Sequence, residues 1–120
     1  MHGKKMTVEE WQAIYDSFDL GIDRRYCLLD PQPSDVNELI EEYEPYGYHL
    51  MYVKWKDRQL CLDSISGWQI FDMKVADPDS GGFYLPLSPE FGSLEVALDY
   101  PVLDGKSIRE RFDECQFFGE

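Results

Sequence analysis

Apolar residues along the chain repeat with two different periods, and the change between them marks out the elements. Trp11, Ile14, Tyr15 and Phe18 recur at i, i+3, i+4 and i+7, the stripe of an amphipathic helix. Thr7 stands where an N-cap belongs and Glu10 follows three residues later, a reciprocal capping box, with Met6 and Trp11 placed as a hydrophobic staple. Gly21 ends this helix. The same stripe returns in Val36, Leu39, Ile40 and Tyr43, behind a Ser34-Asp35 cap with Glu38 three residues on, and Pro45 stops it. Asn37, Glu38, Glu41, Glu42 and Glu44 fall on the opposite face of this second helix, where like charges three and four apart repel mildly.

From Tyr48 to Leu87 the period shortens to two. Tyr48 to Trp55, Arg58 to Asp63, Trp68 to Val75 and Phe83 to Leu87 read as strands, because β-branched and aromatic side chains suit a pleated, half-buried surface. Turn residues separate them at Lys56-Asp57, Ser66-Gly67 and Asp77 to Gly82, and connections that short predict an antiparallel meander. In the first strand Met51, Val53 and Trp55 oppose Tyr48, Leu50 and Tyr52, so both faces require cover. The third is similar, with Phe71, Met73 and Val75 opposite Trp68 and Ile70. The second offers only Leu60 and Leu62 inward, beside Arg58, Gln59 and Asp63, which suggests a place near an edge. Pro86 puts the fourth at an edge, since proline cannot donate to a ladder.

Ser93 to Tyr100 alternates Leu94, Val96 and Leu98 against Glu95, Ala97 and Asp99, which reads as a fifth strand with one wet face, closed by Pro101. A second capping box at Ser107 and Glu110 opens a short last helix that turns Ile108 and Phe112 inward. Tyr26 to Leu29 is long enough for one extra strand. Phe117 and Phe118 are expected to pack back on the sheet or on a partner. The fold expected is one α+β domain over residues 1–120: an antiparallel four- to five-stranded meander sheet packed by an N-terminal helix, a second acidic helix and a short C-terminal helix.

Composition sharpens this. In 120 residues, 43% are hydrophobic, enough for a core without metal or disulfide staples and too many for a disordered acidic chain. Cys27, Cys61 and Cys115 are odd in number and widely spaced, so buried thiols in a reducing cytoplasm are expected rather than a disulfide framework. No apolar run is long enough for a secretory signal or a transmembrane helix. Charge has the larger consequence: 24 acidic residues against 11 basic give a formal charge of −13. A field of that sign repels nucleic acid and anionic lipid and draws basic partners in.

Catalytic and ligand motifs are scarce. Of the two histidines, His2 lies at the terminus and His49 in a strand, and no serine or cysteine stands in a nucleophile motif. Neither HExxH nor a CxxC pair is present. Asp77, Asp79 and Gly82 resemble the opening of a calcium loop, but Gly81 stands at the fifth loop position and Ser88 at the twelfth, where a bidentate Glu is needed, so a turn is the better reading. Gly81-Gly82 lacks the lysine and helix of a phosphate loop. Arg24-Arg25 is expected to be neutralised by neighbouring acids. Lys54, Lys56 and Arg58 beside Trp55 come nearest to a nucleic-acid patch, against the sign of the whole field. Among 24 acids some pair will lie close by chance, so a carboxylate pair carries no weight for a glycosidase reading.

Binding rather than catalysis is therefore expected, with neither cofactor nor metal. Carboxylates arrayed on a surface imitate phosphates, so an acidic domain can occupy the basic cleft of a nuclease or another nucleic-acid enzyme, in the manner of an immunity protein, an antitoxin or a phage-encoded inhibitor. Glu38, Glu41, Glu42 and Glu44 form the candidate docking face, and Glu90, Glu95 and Asp99 a second acidic patch. One alternative is a small ligand-binding or enzymatic domain with an aromatic pocket on a sheet face, from Tyr48, Tyr52, Trp55 and Trp68. Another is an adaptor subunit that docks through Phe117-Phe118.

Overall fold

Local rules account for the helices where they hold. A computed structural model of the chain describes residues 7–18, 27–43, 50–64, 67–79 and 84–119. Helix α1 (Val8–Phe18) begins at the expected capping box: Thr7 Oγ1 accepts from the Glu10 amide at 3.2 Å, and Glu10 Oε1 accepts from the Thr7 amide at 3.3 Å. Helix α2 (Val36–Tyr43) begins at Asp35, whose Oδ1 accepts from the Glu38 amide at 2.8 Å. Leu39 and Tyr43, one turn apart, are its buried residues.

The meander forms as β2 (Leu50–Trp55), β3 (Arg58–Asp63), β4 (Gln69–Ala76) and β5 (Tyr84–Pro86), each antiparallel to the next. Trp55 pairs with Arg58 across a two-residue turn in which Lys56 takes φ 54°, the left-handed region that tight hairpins demand. Two further short strands lengthen the sheet. β1 (Cys27–Leu28) and β8 (Gln116–Gly119) give the spatial order β1-β8-β2-β3-β4-β5. The C-terminal residues thus lie inside the sheet, with Phe118 opposite Leu28 on one side and opposite Tyr52 on the other. β5 is the outer strand that Pro86 implied. β3, in contrast, is central and not near an edge: Gln59, read as facing water, is buried, as is Cys61, the thiol expected to be so. The pattern misled because a central strand whose second face packs under only a small cluster tolerates short or polar residues there.

Residues 94–98 depart most from expectation. They form helix α3 (Leu94–Leu98) and not a strand. Ser93, at φ −147°, caps it by accepting from the Val96 amide at 3.3 Å, and Leu94, Ala97 and Leu98 are fully buried while Val96 is 50% exposed. The sequence LEVALD fits both periods, since positions 94, 97 and 98 are also i, i+3 and i+4; the serine cap decides between them. Pro101 then opens a hairpin of β6 (Pro101–Leu103) and β7 (Lys106–Ser107) around Asp104-Gly105, at φ 54° and 84°. The second capping box also forms, with Ser107 Oγ accepting from the Glu110 amide at 3.1 Å and Glu110 Oε1 from the Ser107 amide at 3.0 Å. It leads only into turns and a single 3₁₀ turn, Phe112–Glu114.

Side chains alternate across the sheet as the strand pattern requires. Met51, Val53, Trp55, Leu60, Leu62, Ile70 and Phe117 join Leu39 and Tyr43 of α2 and all three buried residues of α3 in the main core. Tyr52, Cys61, Met73 and Phe118 form a smaller cluster on the other face, flanked by Leu50, Phe71 and Tyr84. No helix among the described residues is long and apolar enough to cross a membrane.

Candidate functional site

Between β1 and α2 the chain runs Leu29-Asp30-Pro31-Gln32-Pro33, and two prolines leave its backbone few donors of its own. Gln32 fastens this segment to the sheet. Its Nε2 donates to the carbonyls of Leu29 at 2.6 Å and Phe117 at 2.9 Å, and its Oε1 accepts from the Phe117 amide at 2.8 Å. The amide thereby stands in for a strand residue beside β8.

The fastened segment stands off from α2 and leaves a cleft of about 290 Å³. Its apolar walls are Leu29, Pro31, Pro33, Leu39 and Tyr43, and the carboxylates of Asp30, Glu38 and Glu42 complete the lining. Leu39 and Tyr43 are rooted in the main core, whereas Asp30, Glu38 and Glu42 are exposed. Glu38 is held in place: its carboxylate accepts from the Ser34 amide at 2.9 Å and from the Ser34 hydroxyl. Those two bonds, the hydroxyl first, favour the ionised form and hold its pKa below the usual carboxylate value against a small opposing effect of burial. Burial, and then the charge of Glu42, push the Tyr43 phenol above its ordinary value, so it stays protonated at neutral pH.

The structure brings together part of the expected docking face. Glu38, Glu41 and Glu42 all lie exposed on α2; Glu44 lies outside the described residues. Between Arg25 and Lys54 the sequence has no lysine or arginine and six acids, Asp30, Asp35, Glu38, Glu41, Glu42 and Glu44. The second patch differs in kind. Glu95 on α3 and Asp99, its C-cap residue, both engage Arg109, the former at 3.8 Å from Nη2 and the latter by a close contact with Nε, so one of their two charges is met within the chain. Glu90 is exposed in the segment before α3.

The aromatic residues do not converge. Trp55 and Trp68 are buried in the main core and Tyr52 in the cluster on the other face, with the sheet between them, so these three line no common pocket; Tyr48 lies outside the described residues. Trp55 is also covered by its neighbours: Lys56 Nζ lies 4.5 Å and Arg111 Cζ 4.8 Å from its ring centre, and its indole Nε1 donates to Glu114 at 3.3 Å. Arg58 reaches Asp104 at 3.9 Å. These cations are engaged with a buried indole and with acids, an arrangement unlike a stacking platform for bases. Phe117 and Phe118, which the adaptor reading needs free, are 1% and 4% exposed.

Other candidate groups have structural partners. The Ser88 hydroxyl accepts from the Ile70 amide at 3.0 Å and donates to the Pro89 carbonyl at 2.9 Å, which ties the segment after β5 to β4. Among the described residues, no group of three or more His, Cys, Asp or Glu is arranged to hold a metal ion. Neither Cys61 nor Cys115 forms a disulfide, and the Cys115 thiol is pushed up to about 12, mainly by burial and then by Glu114, with Arg111 opposing. It is therefore protonated, and a poor nucleophile, at neutral pH. Arg24, Arg25 and His49 lie outside the described residues.

The cleft was not legible from periodicity, which sorts residues by face and says nothing of a loop standing off a helix. Its one local signal was Asp30-Pro31-Gln32-Pro33 directly ahead of a capped helix. No protein-family model, no curated protein and no solved structure matches the chain.

Proposed function

We propose that this protein acts by binding a basic protein partner through the acidic face of α2, masking the cationic surface by which that partner holds nucleic acid. A nuclease or a nucleic-acid-acting toxin fits this description, and the chain would then serve as its immunity protein, antitoxin or inhibitor. The observation that carries the reading is the contrast between the two acidic surfaces. On α3 an arginine already answers Glu95 and Asp99. On α2, no basic side chain among the described residues pairs with Glu38, Glu41 or Glu42, in a 28-residue stretch of sequence without lysine or arginine. Exposed like charges on one helix face weaken the helix slightly, and a cationic surface laid over them removes that repulsion. At −13 the whole molecule also steers such a partner toward it over a distance of roughly a Debye length, about 8 Å at physiological salt.

The experiment is parallel capture with the wild-type chain and with a Glu38→Lys, Glu41→Lys, Glu42→Lys variant, at stepped salt, followed by a nuclease assay on whatever is retained. The expected result is a basic nucleic-acid enzyme held by the wild type, released as salt rises, absent from the variant, and inhibited when wild-type protein is added back. Retention with the same salt dependence by both proteins would remove α2 from the interface.

A further inference from the structure

We infer that the cleft between the β1–α2 segment and α2 is a receptor for one arginine side chain, presented on an exposed loop of the basic partner. This rests on the reading above and narrows it from a charged face to one anchoring point. Two features select the occupant.

Size is the first. About 290 Å³ lies at the lower limit of pockets that enclose drug-sized ligands, so it suits a single long side chain and not a nucleotide or an extended cofactor. The lining is the second. Apolar walls from Pro31, Pro33, Leu39 and Tyr43 run beside the carboxylates of Glu38 and Glu42, one helical turn apart. An arginine or lysine has this same division, an apolar stem under a charged head, but a planar guanidinium also lies flat on ring faces and can give parallel hydrogen bonds to carboxylates, which an ammonium cannot.

The cleft is also largely pre-formed, which matters because ordering side chains at an interface opposes affinity. Gln32 ties the outer wall to β8 through two hydrogen bonds to Phe117 and braces it with a third to Leu29, Leu39 and Tyr43 are core residues, and the Ser34 amide and hydroxyl fix the Glu38 carboxylate. Glu41 sits on the same exposed helix surface but does not line the cleft. That difference permits a test that separates a receptor from a general acidic surface.

The probes are acetyl-Gly-Arg-Gly-amide and its lysine and citrulline counterparts, titrated into the full chain and followed by NMR shifts of Leu39, Tyr43 and the backbone of residues 29–43. Saturable shifts confined to the cleft are expected with the arginine peptide. Affinity should be about tenfold lower for Glu38→Gln with Glu42→Gln combined, as loss of a charge-assisted pair implies, and lower by at most about twofold for Glu41→Gln. The citrulline peptide, isosteric but neutral, should not bind; the lysine peptide should bind more weakly. Equal loss with Glu41→Gln, equal binding of citrulline, or shifts spread over every acidic surface would overturn the receptor. Failure here, while the charge-reversal variant still loses its nucleic-acid enzyme, would leave the docking face standing without this anchor. Binding of the arginine peptide in the cleft with no enzyme recovered would do the reverse.

Discussion

Gln12 and Gln32 complete backbone hydrogen bonding that the sheet itself leaves open. The pairing of β4 with β5 is irregular between Asp72 and Ala76, and there Gln12 of α1 donates to the Lys74 carbonyl and accepts from the Ala76 amide, each at 3.0 Å. At the other side of the sheet Gln32 accepts from the Phe117 amide and adds a second donor to the Phe117 carbonyl, which already accepts from the Leu29 amide at 3.0 Å. Buried backbone groups left without partners cost free energy, so each amide side chain replaces a stretch of missing strand. Gln32→Ala should therefore cost about 2 kcal/mol in chemical denaturation, for a donor and an acceptor only partly shielded from water. Gln32→Glu is the sharper test. It keeps the acceptor for the Phe117 amide but sets a carboxylate against the Leu29 and Phe117 carbonyls, so it should be less stable than the alanine variant at neutral pH and recover as the pH falls through the carboxylate range. A fully stable Gln32→Glu protein would mean that the amide does not bridge β1 and β8 in this way. None of this was legible in the sequence, because the partners lie 62, 64 and 85 residues away and periodicity says nothing about long side chains that reach along a strand.

Among the elements, the parts specified by neighbours three or four residues apart were the legible ones. The capping pairs at Thr7, Asp35 and Ser107 all form, and so do the four strands of the meander. A cap fixes where a helix starts and not how far it runs: after Ser107 the chain has only until Gln116 before it must extend as β8, so one 3₁₀ turn replaces a helix. The exposed Glu110 carboxylate has its pKa lowered, the Ser107 amide being the first cause. A lowered value means that this contribution to stability is present above the ordinary carboxylate pKa and is lost as the pH falls below it. Residues 94–98 satisfied two periods at once, and substitutions distinguish them. On a strand with one wet face, Ala97→Asp would be harmless and Val96→Lys damaging. On α3 the order reverses: Ala97, at 0% exposure, should not accept Asp without losing several kcal/mol, while Val96→Lys, half exposed, should stay within about 0.5 kcal/mol of wild type in thermal or urea melts. The opposite ranking would restore the strand.

Taken whole, the molecule is closed by its last strand, and this decides which of the functional readings the fold can accommodate. β8 lies between β1 and β2, so the segment carrying the cleft is joined to the meander through residues at the far end of the chain. The apolar tail was legible as something that had to be buried, but its place between two strands distant in sequence was not, since a four-residue strand paired on both sides leaves no periodic signal of its register. An adaptor that offered Phe117 and Phe118 to another protein would have to open its own sheet. Removing residues 116–120 tests this arrangement. Burying each phenylalanine stabilises by about 1.5–3 kcal/mol, and the lost ladder bonds and the uncovered floor beneath Tyr43 and Leu29 add to that, so the sum rivals the 5–15 kcal/mol by which small domains are stable. The truncated chain should show no cooperative thermal transition and should bind a hydrophobic dye, whereas Phe118→Leu, which keeps the strand and most of the apolar volume, should fold with a lowered melting temperature. A truncated chain that melted like the wild type would show that β1 and β2 hold without β8, and the tail would again be available to a partner.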